Sequence, residues 1–322
     1  MTDERIKLII GSLLHDVGKI IYRTSDRRTH AESGYHFLKE ETNIEDAEIL
    51  NQVRYHHARE LKAARLPEDS LAYITYIADN IAAAMDRRSK EDGEKGFIKD
   101  QPLESVFNIL NGNQERKLYQ PMMLDINGDM NCPVSRKVPY TEGFYSGVKE
   151  KIKNCLLEFQ WNDAYVNAIL EILEATTTFV PSSTSTNELA DISLYDHVKM
   201  TAAIATCIHE YLLQENTTDY KKTLFKEATS FYSKPVFYLY SMDISGIQDF
   251  IYTITSKGAL KGLRSRSFYL EIMMEHLIDS LLEKLFLSRV NLIYSGGGHA
   301  YILLPNTEKV RKIVGDFEQE VN

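Results

Sequence analysis

Leu14-His15-Asp16-Val17-Gly18-Lys19 decides how the first part of this sequence is read. An imidazole and a carboxylate stand side by side within an apolar pattern, Ile6, Ile9, Ile10, Leu13, Leu14, Val17, Ile20 and Ile21, whose spacing over residues 4–23 is helical. On one helix, Lys19 follows His15 by four residues and Asp16 by three, so the three side chains share a face. A neutral nitrogen donor beside an anionic oxygen donor is what a single helix can offer a divalent cation, with the remaining ligands drawn from neighbouring helices. A His-Asp doublet alone arises by chance about once in a few hundred residues, so its meaning rests on its company.

That company lies in the next three helical patterns, over about 29–40, 45–61 and 68–88. Thr29-His30 opens the first, Tyr55-His56-His57 stands near the end of the second, and Asp79 sits in Tyr76-Ile77-Ala78-Asp79-Asn80, on an otherwise apolar face. An unpaired carboxylate buried there is costly and calls for a cation. Taken one at a time, each histidine reads as a structural residue satisfied by a backbone carbonyl; taken together they read as a ligand set.

In this order the motifs resemble those of the HD hydrolase superfamily. The resemblance implies a metal held by His15, Asp16, His30, His56, His57 and Asp79, with His15, Asp16 and Lys19 serving catalysis. Members of that superfamily carry a further ligand histidine before the doublet, and only fourteen residues precede His15. A matching segment occurs later as Leu194-Tyr195-Asp196-His197-Val198-Lys199-Met200-Thr201-Ala202-Ala203, which implies a circularly permuted HD domain with His197 as a ligand. Permutation costs little where termini lie close together on a bundle. The competing reading makes His197 a helix-start residue with Asp196 as its cap.

The bulk numbers narrow the class. At 322 residues and 43% hydrophobic content the chain can bury more than one core. A net charge of -9 argues against coating nucleic acid non-specifically, since phosphate contacts need local Lys and Arg. Three cysteines without a CxxC pair support neither a disulfide framework nor a thiolate zinc site. No apolar run is long enough to span a bilayer, so the expectation is a cytoplasmic protein with no membrane contact.

Texture divides the chain into 1–90, an HD phosphohydrolase domain; 91–146, an irregular insertion broken by Gly and Pro; 147–230, helices completing the HD domain or linking it onward; and 231–322. In the last part Val236 to Tyr240 reads as a strand, Arg264 to Phe286 as a long helix, Asn291 to Tyr294 and Ala300 to Leu304 as two strands around Gly296-Gly297-Gly298, and 307–320 as a helix. The order βαββα is most of a ferredoxin-like palm and stops where a fourth strand should begin, so a fragment is expected. The fold class is therefore α+β.

A permuted HD domain followed by Met242-Asp243-Ile244-Ser245-Gly246 and Tyr294-Ser295-Gly296-Gly297-Gly298-His299 resembles the large, polymerase-like subunit of type III-A CRISPR effector complexes. The resemblance implies a first palm, a second palm with a Gly-Gly-Asp-Asp hairpin in a C-terminal half, ATP as the palm's nucleotide, and cyclic oligoadenylate synthesis only when both are present. It implies partners too: other effector subunits, guide RNA, target RNA as activator, and single-stranded DNA as substrate. Here the first strand offers Asp243 alone and the hairpin tip reads Gly-Gly-Gly-His, so two-metal chemistry is not expected. Nucleotide contact by Asp243, Ser245, Gly246, Gly296, Gly297, Gly298 and His299 stands beside the simpler reading of a tight hairpin. Lys257, Lys261, Arg264 and Arg266 read either as phosphate contacts or as a solvated helix start.

The leading expectation is a nuclease using one or two ions of the Mn²⁺, Co²⁺ or Ni²⁺ type. An assembly and nucleotide-binding module with a weak HD site is the alternative, and a nucleotidase for small phosphate esters is the third.

Overall fold

Imidazoles end two of the helices. In the computed structural model, which describes residues 1–86, 96–112, 114–136, 138–158, 160, 162–253 and 259–321, the expected helix over 4–23 is two. α1 (Asp3–Leu14) stops, His15 to Val17 form a turn, and α2 (Gly18–Tyr22) resumes after it. The His15 ring takes the Ser12 carbonyl at 2.7 Å, an acceptor that a continuing helix would give to a backbone N–H. The expected helix over 45–61 is likewise broken into α4 (Ala47–Tyr55) and α5 (Ala58–Ala63), with the His56 ring on the Val53 carbonyl at 2.7 Å. Between them α3 (His30–Glu41) starts behind Thr29, whose hydroxyl accepts from Glu32 N, and α6 (Ala72–Asp86) follows.

Residues 96–141 carry no long helix among the described residues, only a 3₁₀ turn at Val106–Asn111 and isolated bridges such as Phe97 with Ser185. They are not detached, because buried Tyr140 donates its hydroxyl to the Phe179 carbonyl at 2.7 Å and Glu104 N donates to the Ala190 carbonyl at 2.8 Å. Helical structure returns at α7 (Glu142–Leu156), behind a Thr141 cap and before the expected limit at 146, and continues through α8 (Asp163–Thr177) and α9 (Leu194–Gln214). Ser193, not Asp196, caps α9: its hydroxyl accepts from Asp196 N at 3.0 Å. Ile9, Leu13 and Leu14 of α1, Phe37 of α3, Val53 of α4, Ile152 of α7, Val166 of α8 and Val198 of α9 share one core. The second half of α9 and α6 form another with Tyr220 and Leu224, near the π turn Lys221–Lys226, and Phe231 of α10 (Ala228–Phe231).

The C-terminal unit contains β1 (Phe237–Asp243), α11 (Ile247–Tyr252), α12 (Ala259–Leu285), β2 (Leu292–Gly296), β3 (His299–Pro305) and α13 (Glu308–Val321). Its sheet is antiparallel in the order β1-β3-β2, three strands of the split β-α-β arrangement, and the fold class is α+β. α12 starts at Ala259 rather than at the expected Arg264, and α11 was not expected. The hairpin turn at Gly297 and Gly298 has φ of 60° and 86°, the double positive φ of a two-residue type I′ loop, which side chains resist. Ile278 and Leu281 of α12 and Val314 and Phe317 of α13 bury Ala300, Ile302 and Leu304. The sheet's Leu303 carbonyl meets Asn291 Nδ2 at 2.9 Å and Cys207 Sγ of α9 at 3.7 Å. Arg5 of α1 ties the units together by pairing with Glu210 of α9 and donating to the Phe286 carbonyl at 2.6 Å. No helix among the described residues is long and apolar enough to cross a membrane.

Candidate metal centre

The turn after α1, the start of α3, the break between α4 and α5, the middle of α6 and the first turn of α9 converge on Asp16. Its Oδ2 lies 3.4 Å from His15 Nε2 and 3.3 Å from His197 Nε2, and its Oδ1 lies 3.6 Å from His30 Nε2 and 3.7 Å from His56 Nε2. Asp79 Oδ1 closes the first group, 3.6 Å from His15 Nε2 and 3.2 Å from His197 Nε2. His57 Nε2 closes the second, 2.7 Å from His30 Nε2. Two ligand-like groups, His15-Asp16-Asp79-His197 and His30-His56-His57, thus meet at one carboxylate. Lys19 Nζ stands 2.5 Å from Asp16 Oδ2 across the turn that separates α1 from α2.

The donor set fits a divalent cation. Because the Nδ1–H groups of His15 and His56 donate to backbone carbonyls, each ring turns its Nε2 toward the cluster. His15 Nε2 and Asp16 Oδ1 are buried with no hydrogen-bond partner among the described residues, a cost of roughly 1–3 kcal/mol each that a coordinated ion removes. Nitrogen and carboxylate donors gathered this way suit transition-type ions rather than Ca²⁺.

The electrostatics divide the two groups. Burial opposes charge on His15, but Asp16 and Asp79 outweigh it and push the imidazole up to about 9. Burial also opposes charge on the two carboxylates. Lys19 and His15 nevertheless hold Asp16 well below the usual carboxylate range, and His15 and His197 do the same for Asp79. In the second group burial wins: His30 falls to about 4, His56 is held well below the usual histidine range and His57 is lowered, which keeps their nitrogens available as donors.

A cation must displace the His15 proton, so affinity should climb about tenfold per pH unit until about pH 9. In the ion-free protein the same raised pKa stabilises the fold below pH 6.5, and that contribution is lost as pH rises through about 9. Calorimetric titration with Mn²⁺ across this range checks the point; a plateau already at pH 6.5, the ordinary histidine value, would remove Asp16 and Asp79 as the cause.

A cavity of about 610 Å³ opens onto Asp16, Asp79, His30 and His57. Its wall includes Lys19, Arg23, Arg27 and Arg28, against Glu60 and Glu188, together with Phe97 and Ser182 to Ser185. The arginines and Phe97 were missed by sequence reasoning. Arg27-Arg28 beside Thr29-His30 was a visible signal, whereas nothing local marks Phe97. Arg23 is spoken for by the Pro181 carbonyl at 3.0 Å, and Arg28 by Asp26.

The residues singled out in the palm lie apart from this cavity. Asp243 and His299 are register partners in the sheet, with Oδ1 and Nδ1 2.9 Å apart, and Ile244 N donates to the Gly298 carbonyl at 3.0 Å. Ser245, Gly246 and Gly296 to Gly298 therefore share one edge of the unit. Arg266 donates to the Phe250 carbonyl and stands over its ring at 5.3 Å. Lys261 and Arg264 are exposed on α12, and Lys257 lies outside the described residues.

Residues 1–84 match the HD domain family and residues 236–322 match Csm1 subunit domain B. The chain is similar to the CRISPR system single-strand-specific deoxyribonuclease Cas10/Csm1 (subtype III-A) of Enterococcus italicus, with 43% identity over 99% of this chain and 44% of that protein. The Streptococcus thermophilus relative of the same description is 42% identical over 100% of this chain and 43% of its own length. Among solved structures, Csm1 of T. onnurineus superposes with a TM-score of 0.73 at 28% identity, covering 98% of this chain and 42% of that one. A Csm1-Csm4 cassette in complex with cA4 gives 0.73 at 27% identity, covering 98% and 41%. The chain thus spans less than half the length of the relatives it matches.

Proposed function

The chain belongs to the Cas10/Csm1 family of subtype III-A, and from that premise we propose that the cluster around Asp16 is a metal-dependent nuclease centre for single-stranded DNA. The observation that carries the reading is the bridging position of Asp16, one oxygen toward His15 and His197, the other toward His30 and His56. A divalent cation, of the Mn²⁺, Co²⁺ or Ni²⁺ type by its imidazole-rich donors, supplies Lewis acidity to the phosphodiester and to the attacking water when bound. His15, Asp16, Asp79 and His197 would hold one ion, and His30, His56 and His57, near Asp16, could hold another. Lys19 neutralises part of Asp16 and faces the cavity, where its ammonium offsets charge that develops on the phosphoryl oxygens. Arg27 extends that positive wall for a neighbouring phosphate.

In the same reading the edge at Asp243, Ser245, Gly246 and the glycine hairpin is a nucleotide contact for ATP, complete only against a second palm in a C-terminal half. Asp243 is already engaged by His299, which leaves this edge without a carboxylate pair for two-metal chemistry. The setting is a cytoplasmic effector complex, with guide RNA and other subunits as partners and target RNA as activator.

Metal content and degradation of single-stranded DNA, measured on the same purified sample of the chain and its His197→Ala variant, test the centre. The variant should lose bound metal and at least about 100-fold of the cleavage rate. A wild-type chain that binds no metal and leaves DNA intact would instead be the assembly module.

A further inference from the structure

Phe97 lines the metal cavity, and its segment is held there by the backbone. Ile98 N donates to the Thr184 carbonyl at 3.0 Å, Thr186 N donates to the Gly96 carbonyl at 2.9 Å, and Phe97 bridges Ser185 between them. This short two-stranded ribbon fixes the Phe97 backbone while leaving its side chain 75% exposed. The other aromatic in the cavity, Tyr22, already has Lys99 Nζ over its ring at 4.2 Å. Phe97 thus offers an aromatic face to a cavity that also contains Asp16, Lys19 and Arg27.

We propose that Phe97 is a base-stacking, strand-selecting residue: it receives the face of a nucleobase whose neighbouring phosphate lies at the cluster. The inference rests on the nuclease reading above and adds its specificity. Aromatic platforms beside a positive wall are how single strands are held without sequence preference, because every base has a π-face. A base inside a duplex has both faces covered by its neighbours, so it cannot reach Phe97 without first being unstacked, at a cost of roughly a few kcal/mol. Single strands are therefore favoured by the wall of the cavity rather than by the metal ligands, which meet only phosphate and water. The fixed ribbon matters because a platform ordered in advance loses little freedom on binding.

The test separates binding from chemistry. Fluorescence anisotropy of labelled oligothymidylate, with metal removed by a chelator, is measured for wild type, Phe97→Ala and Phe97→Trp, alongside an abasic oligonucleotide of the same length. Cleavage by metal-loaded samples is followed in parallel, with His15→Ala as the chemical control. Loss of one stack weakens binding by about 5- to 150-fold, so Phe97→Ala should bind oligothymidylate about tenfold or more less tightly. Phe97→Trp should restore it, and the abasic strand should bind wild type and Phe97→Ala alike. Metal content should be the same in all three, since Phe97 is no ligand. Equal oligothymidylate binding by wild type and Phe97→Ala overturns the proposal, as does an equal loss on the abasic strand. If no sample cleaves DNA but the Phe97 series behaves as expected, the nuclease reading fails and the stacking site stands. If cleavage depends on His15 but binding ignores Phe97, the reverse holds.

Discussion

Asp16→Asn is expected to lower cleavage of single-stranded DNA on the order of a thousandfold, about 4 kcal/mol of transition-state stabilisation, without unfolding the chain. The substitution keeps the shape of the side chain and exchanges one carboxylate oxygen for an amide NH₂. Wherever that NH₂ points, one of the two groups loses its anionic donor, since Oδ1 serves His30 and His56 while Oδ2 serves His15 and His197. Lys19 loses its partner as well and is left as an ammonium 2.5 Å from a neutral group, so the pocket becomes more positive where a cation should sit. Metal content measured with the rate should fall together with it, while the circular dichroism spectrum stays unchanged. A folded Asp16→Asn protein with full activity would remove Asp16, and with it the bridging arrangement, from the mechanism.

Gly18→Ala should cost about 3 kcal/mol or more and lower the melting temperature by roughly 6 °C or more, although the residue touches no ligand atom. A Cβ on Gly18 would lie 1.7 Å from the His30 carbonyl oxygen and 2.7 Å from Gly34 N, both of them backbone atoms of α3 that no rotamer change can move. α2 and α3 must separate, and His30 opens α3, so metal binding should weaken with the fold. Gly147→Ala in α7 is the control: its Cβ meets nothing within 4 Å, and removing a mid-helix glycine should leave stability equal or improved by about 0.5–1 kcal/mol. Thermal unfolding of the two variants side by side measures the contrast; equal midpoints would show that α2 and α3 are not packed this closely.

Much of the helical bundle and the three-stranded unit was legible because periodicity and turn chemistry are written within a few residues. The cap at Thr29, the apolar face of α6 and the glycine pair at 297–298 each act locally. Helix ends at the site were misjudged for a physical reason. Apolar spacing runs straight through His15 and His56, whereas the rings there bond the Ser12 and Val53 carbonyls and His57 takes an extended backbone. The contact of Arg266 with Phe250 was not legible, because charge counting along the chain cannot see which ring lies beneath a guanidinium.

By itself, then, the sequence determined which donors exist: imidazoles at 15, 30, 56, 57 and 197, carboxylates at 16 and 79, and a glycine tip lacking paired acids. Those properties belong to side chains and to hydrogen bonds a few residues long. Only the tertiary structure decided that α9 lies against α1 and brings His197 to 3.3 Å from Asp16, that one carboxylate faces two groups of imidazoles, and that a ribbon of residues 96–98 and 184–186 walls the cavity with Phe97. Contacts of that kind are set by how buried faces fit together across the whole chain, and no local window of residues contains both partners.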